Sequence, residues 1–202
     1  MPTPRRAVPK PELQLLRCAS DADWERWLTE HHGDTPGVWL ELAKRGAGHT
    51  TPTHAEALDT AICFGWIDGQ KRAHPTEPES FWLQRFTPRG PRSKWSQINR
   101  DKAQQLFDAG RMRPAGQAQF EAARADGRLD AAYEPQSRAT VPPDLQRALD
   151  ANPAAREFFT TLDGANRYAI LWRIHDARRP QTREQRIARF VEMLAANEKL
   201  HP

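Results

Sequence analysis

The chain has 202 residues, 38% apolar and 28% charged, with 30 basic against 26 acidic side chains and a formal net charge of +4. That length fits one domain, or one domain with an appended subdomain. No run of about 18 apolar residues occurs, so no membrane insertion is expected.

In chain order, residues 1–13 carry four prolines and read as a flexible arm. Arg5 and Arg6 are not followed by an apolar stretch, which argues against a secretory signal and for a cytoplasmic protein. Cys18 and Cys63 are too few for a disulfide framework and are expected as free thiols in a reducing compartment. Ser20 with Asp23 opens a helix in capping-box form, with Trp24, Trp27 and Leu28 on one face, ending near Gly33. Val38, Leu40 and Leu42 alternate as in a strand. Thr53 with Glu56 caps a second helix, striped by Ala55, Leu58 and Ile62 and stopped at Gly65. The segments from Trp66 to Arg72 and from Ser80 to Thr87 pair as a hairpin and form a small sheet with Val38 to Ala43.

After Pro91, Ser93 or Ser96 can cap a helix running through Ile98, Ala103, Leu106 and Phe107 to Gly110. Another follows Pro114, bears Phe120 and ends near Gly127. Residues 134–143 have the proline and polar content of a linker. Beyond them the pattern is helical: a short helix from Pro143, one capped at Asn152 with Pro153 at its first position, one striped by Tyr168, Leu171 and Ile174, and a last one capped by Thr182 with Gln185. The expected fold is α+β, a small mainly antiparallel sheet covered by helices over 14–133, followed by a helical C-terminal subdomain over 144–202.

Charge placement is more informative than net charge, since 24 of the 30 basic residues are arginine and this bias also arises from base composition. Between Ser80 and Arg100 stand Arg85, Arg89, Arg92, Lys94 and Arg100 without any acid. Arginines and hydroxyls on a turn feeding a helix start suit a phosphate, sulfate or carboxylate. The alternative is that Arg85 pairs with Asp68 or Glu41 across the sheet while Ser93 and Ser96 only cap. In a strand, Trp66, Asp68 and Gln70 share a face, and with Trp39, Glu41, Trp82 or Arg85 they would form a polar and aromatic pocket. The predicted ligand site is therefore Trp66, Asp68, Gln70, Arg85, Thr87, Arg89, Ser93, Trp95 and Asn99.

These motifs resemble a known family. Ala61 to Gln70, Arg85 to Arg89, Ser93 to Asn99, Gly110 to Gly116, Ala123 to Arg128, Ala132-Tyr133, the Pro143 region, and Arg178 to Arg183 with Arg186-Ile187 are similar to the YdeI/OmpD-associated, or bacteriocin-protection, family. Leu129 stands where that family has tryptophan, and Arg124 and Arg178 stand where it has lysine. The resemblance implies a fold and a role in stress protection and resistance to bacteriocins or antimicrobial peptides. It implies no reaction and no catalytic residues.

The expectation is a binding protein, with an anionic small molecule or an acidic protein surface as partner. An acid beside arginine makes a poor general base, and Cys63 at a helix C-terminus is disfavoured as a thiolate. Two alternatives stay open: a nucleic-acid-binding regulator using Arg173, Arg178, Arg179, Arg183, Arg186 and Arg189, and an enzyme at the same pocket using Asp68 or Cys63. The sequence has no Cys-x-x-Cys, His-Glu-x-x-His, phosphate loop or nucleophile elbow, so no metal or cofactor is expected.

Overall fold

The computed structural model describes residues 12–201, so the expected arm lies outside them apart from its last two positions. The chain divides into two compact units: residues up to Ser93 with Asn99–Asp130, and Lys94–Ile98 with Ala131 onward. The stretch read as a linker falls inside the second unit. No helix among the described residues is long and apolar enough to cross a membrane.

In the first unit the elements are β1 (Gln14–Leu16), α1 (Asp21–His31), β2 (Val38–Ala43), α2 (His54–Cys63), β3 (Trp66–Ala73), β4 (Phe81–Pro88), the part of α3 (Gln97–Asp108) from Asn99 onward, and α4 (Pro114–Ala125). The helix starts follow from their caps. Ser20 Oγ accepts the Asp23 N–H at 3.2 Å. Thr53 and Glu56 satisfy each other's backbone donors reciprocally, at 3.3 and 2.8 Å. The sheet order is β1-β2-β4-β3, with β1 parallel to β2 and the other pairs antiparallel, which is the expected mainly antiparallel α+β arrangement.

One sheet face carries Val38, Leu40, Leu42 and Phe86, all buried, as are Trp24 and Leu28 of α1 and Leu58 and Ile62 of α2. Trp24 is the hub of this core. Its ring lies 5.5 Å from Phe86 and 6.2 Å from Trp66, and its Nε1 donates to the Ala57 carbonyl at 3.1 Å. An indole buried here therefore leaves no polar atom unsatisfied. Ile98, one of the apolar residues through which the expected third helix runs, is 47% exposed.

α4 begins against the end of α2. The Arg113 N–H donates to the Cys63 carbonyl at 2.9 Å, so the positive end of one helix meets the negative end of the other. Gly65 turns the chain out of α2 with φ +75°, a left-handed value that glycine adopts without strain. Gly116 sits so close that a Cβ there would lie 2.1 Å from the Cys63 carbonyl oxygen.

The second unit contains α5 (Pro143–Asp150), α6 (Pro153–Thr161), α7 (Gly164–His175) and α8 (Pro180–Ala195) around a core that includes Leu145, Leu149, Phe159, Ile170, Ile174, Ile187, Phe190 and Leu194. Prolines open three of these helices, where their fixed φ and missing donor cost nothing. This corrects the start of α8. It begins at Pro180 with no side-chain cap, so Thr182 and Gln185 lie inside it. Asn166, 2% exposed, uses its amide fully: it donates to Asp163 Oδ2 and the His201 carbonyl and accepts the His201 N–H at 2.9 Å.

Gly116→Ala is expected to force α2 and α4 apart and lower stability by about 1–3 kcal/mol. Chemical denaturation of the purified variant measures this; a loss below about 0.5 kcal/mol would show that the contact yields freely.

Candidate functional site

The pairing of β4 decides which predicted residues meet. Directly opposed residues point to the same face, and the registers Trp39↔Arg85, Glu41↔Leu83, Ile67↔Thr87 and Arg72↔Leu83 put Trp39, Glu41, Ile67, Arg72, Arg85 and Thr87 on one face. Asp68↔Phe86 and Leu42↔Trp82 put Asp68 and Trp82 on the other. The predicted pocket is thus divided by the sheet itself. A register shift between Asp68 and Lys71 sets Gly69 and Gln70 against the single residue Arg85. Such a bulge breaks the alternation that would have aligned Gln70 with Asp68 and Trp66. Gln84, 3% exposed, supports the bulge by donating to the Gly69 carbonyl at 2.9 Å.

Trp66 is a core residue, 1% exposed, whose Nε1 donates to the His32 carbonyl at 3.1 Å. Asp68 Oδ2 lies 3.1 Å from His54 Nε2 on the helix-covered face, and Gln70 is exposed in the bulge. Arg89 is 4% exposed and so presents no surface to solvent. Ser93 Oγ accepts the Gly90 N–H at 2.9 Å, which closes the turn after β4 and makes Ser93 a loop clasp instead of the cap of α3. Trp95 is buried and belongs to the second unit, while Asn99 is half-buried in α3.

Arg85 and Thr87 remain together, half-buried on the Trp39 face. The guanidinium of Arg72 lies 4.1 Å from the Trp39 ring centroid, a cation–π contact. Neither arginine has a carboxylate partner among the described residues, because the nearby acids are committed elsewhere. Glu41 pairs with Arg17 and lies 3.6 Å from His74 Nε2, while Glu77 pairs with Arg17 at 2.7 Å. His74 Nδ1 accepts the Glu77 N–H at 2.9 Å, so the ring proton sits on Nε2, toward Glu41. Asp68 faces away. The Nε of Arg85 is buried without a hydrogen-bond partner among the described residues.

Both cysteines are buried free thiols. Burial pushes Cys18 up to about 11 and raises Cys63 as well, which keeps them protonated near neutral pH. Of the C-terminal arginines, three are engaged within the second unit. Arg173 donates to the Ala169 carbonyl at 3.0 Å, Arg186 to the Arg173 carbonyl, and Arg183 to Ile174 O at 2.9 Å and to both oxygens of Asp144. Arg183 and Arg186 thereby satisfy carbonyls at the end of α7, where positive charge is favourable. Arg178, Arg179 and Arg189 are exposed.

Sequence reasoning missed a cavity of about 220 Å³ inside the second unit, lined by residues including Gln97, Tyr133, Glu134, Tyr168, Trp172 and His175. The signal was present in part: Tyr168, Trp172 and His175 follow i, i+4, i+7 spacing along α7, a second face beside its core stripe. Gln97 and the Tyr133-Glu134 pair are brought there by a backbone clasp, Gln97 N–H to Tyr133 O at 2.9 Å and Tyr133 N–H to Trp95 O at 3.0 Å.

Residues 16–119, a little over half of the chain, match the family described as a domain of unknown function, DUF8412, and residues 138–197 match the family described as bacteriocin-protection, YdeI or OmpD-associated. The Ala61 to Gln70, Arg85 to Arg89 and Gly110 to Gly116 motifs fall in the first stretch. The Pro143 and Arg178 to Arg183 motifs fall in the second. No curated protein and no solved structure matches the chain.

Hydrogen bonds from Arg183 hold the Asp144 carboxyl below the usual carboxylate range. A depressed carboxyl stabilises the fold above its unfolded value of about 3.9, and that contribution is lost as pH falls through the lower folded value. Since Asp144 is about a third exposed, screening reduces the effect. Arg183→Ala is expected to cost about 1–2 kcal/mol at pH 7, with the gap from wild type narrowing below about pH 4. Thermal melts across pH test this, and a gap that stays constant to pH 2 would remove Asp144 from the account.

Proposed function

We propose a binding role for this chain, which belongs to the DUF8412 family over residues 16–119 and carries the bacteriocin-protection, YdeI or OmpD-associated segment at 138–197. It acts in the cytoplasm as a non-enzymatic stress-protection protein, and the Arg72, Trp39 and Arg85 face of its sheet takes an anionic group. The observation that carries this reading is the pair of arginines beside one indole with no carboxylate of their own among the described residues, where the Arg85 Nε, though buried, makes no hydrogen bond. The buried Nε leaves the half-buried guanidinium to meet an incoming carboxylate or phosphate oxygen through its terminal N–H groups. Guanidinium also offers two-pronged geometry matched to such groups.

Arg72 on β3 and Arg85 on β4 offer two positive charges on separate strands, which favours an acidic protein surface carrying several carboxylates over a single small anion. Hexaglutamate and inorganic phosphate are the probes. The peptide is expected to bind the wild-type protein and to lose at least tenfold in affinity in an Arg72→Ala/Arg85→Ala variant, with Arg85→Lys intermediate. Phosphate binding alone, lost in the same variant, would shift the reading to a small anion. Unchanged peptide affinity in the double variant would overturn the site.

A further inference from the structure

The cavity of the second unit has a different chemistry from the sheet face. Three aromatic side chains, Tyr133, Tyr168 and Trp172, surround about 220 Å³, which is below the roughly 300–1,000 Å³ of sites for drug-sized molecules. Its occupant is therefore small. The lining is also fixed. Tyr168 Oη donates to the Glu134 carbonyl at 3.1 Å, and Glu134 Oε2 accepts the Thr140 N–H at 3.1 Å.

Two charged side chains line this space besides His175 at its exposed rim. Arg183 is neutralised, because Asp144 takes its Nε and Nη2 and the Ile174 carbonyl takes Nη1. Glu134 has no cationic partner among the described residues, and its Oε1 accepts no hydrogen bond there. The phenol of Tyr133 and the amide of Gln97 likewise make no side-chain hydrogen bond. The cavity thus brings Glu134, a carboxylate without a cationic partner among the described residues, together with three aromatic side chains, a combination that attracts cations. Trp172 already carries one ammonium within its own unit: Lys94 Nζ, paired with Asp176, lies 4.5 Å from its ring centroid.

We propose that this cavity binds a small organic cation, an ammonium group whose charge faces Glu134 and whose methyl or methylene shell contacts Tyr133, Tyr168 and Trp172. The site does not rest on the sheet-face reading, since it shares no residue with it.

The test uses choline chloride against its neutral isostere 3,3-dimethylbutan-1-ol, titrated into the full chain and followed by the Trp172 indole N–H resonance, which Trp172→Phe assigns. Choline is expected to shift that resonance and to bind at least tenfold more tightly than the alcohol. Glu134→Gln, which keeps an oxygen for the Thr140 N–H, should weaken choline at least fivefold and leave the alcohol unchanged. If that variant does not fold, Tyr133→Leu keeps the test open: choline should weaken at least threefold while the alcohol does not. Equal binding of both compounds, no shift with either, or choline affinity indifferent to Glu134→Gln in a folded variant would each overturn the proposal.

Discussion

Because β4 is hydrogen-bonded along both edges, the parity of each of its residues is settled twice, and the first unit's chemistry follows from that constraint. Odd-numbered Leu83, Arg85 and Thr87 share a face with Trp39 and Glu41, while Trp82, Gln84 and Phe86 face the other way. A strand held on one side can slip by a residue; one held on both sides cannot do so without turning Phe86 out of the core and Arg85 into it. The separation of Asp68 from Arg85 is therefore a product of the same pairing that buries Phe86.

Much of the fold was legible because its signals are local. Ser20, Thr53 and Asn152 mark helix starts through side chains that reach only three residues along, and the alternation in Val38–Ala43 is a property of that strand alone. The bulge at Gly69 and Gln70 was not legible, since it is an agreement between two strands about register and costs nothing that a single strand records. Charge pairing was also hidden. Asp68 finds His54 and Glu41 finds Arg17, partners 14 and 24 positions away. The start of α8 was misread because Thr182 and Gln185 have capping chemistry, whereas Pro180, placed first, already meets the helix's needs.

The cavity in the second unit shows the same limit in another form. Its aromatic residues lie on one helix face and at Tyr133, just before the stretch whose prolines and polar residues read as a linker and which adds Glu134, Thr140 and Pro142 to the lining. A segment with linker composition can still be ordered when short contacts within it, such as Glu134 with Thr140, close it into a loop. Among the described residues the two units therefore differ in kind: one leaves arginine without acid on a sheet face, the other leaves a carboxylate without a base beside aromatic rings.

Among the described residues β3 is an outer strand, paired with β4 alone. An outer strand exposes a row of backbone donors and acceptors that another chain can extend, which is how folded proteins begin to form intermolecular sheets. Here the edge carries Lys71 and Arg72, both exposed, beside the bulge. Charge and irregular pairing together make the edge a poor template for a second copy. Val or Ile at these two positions would fit the strand equally well and would turn a solubility safeguard into a seed for aggregation.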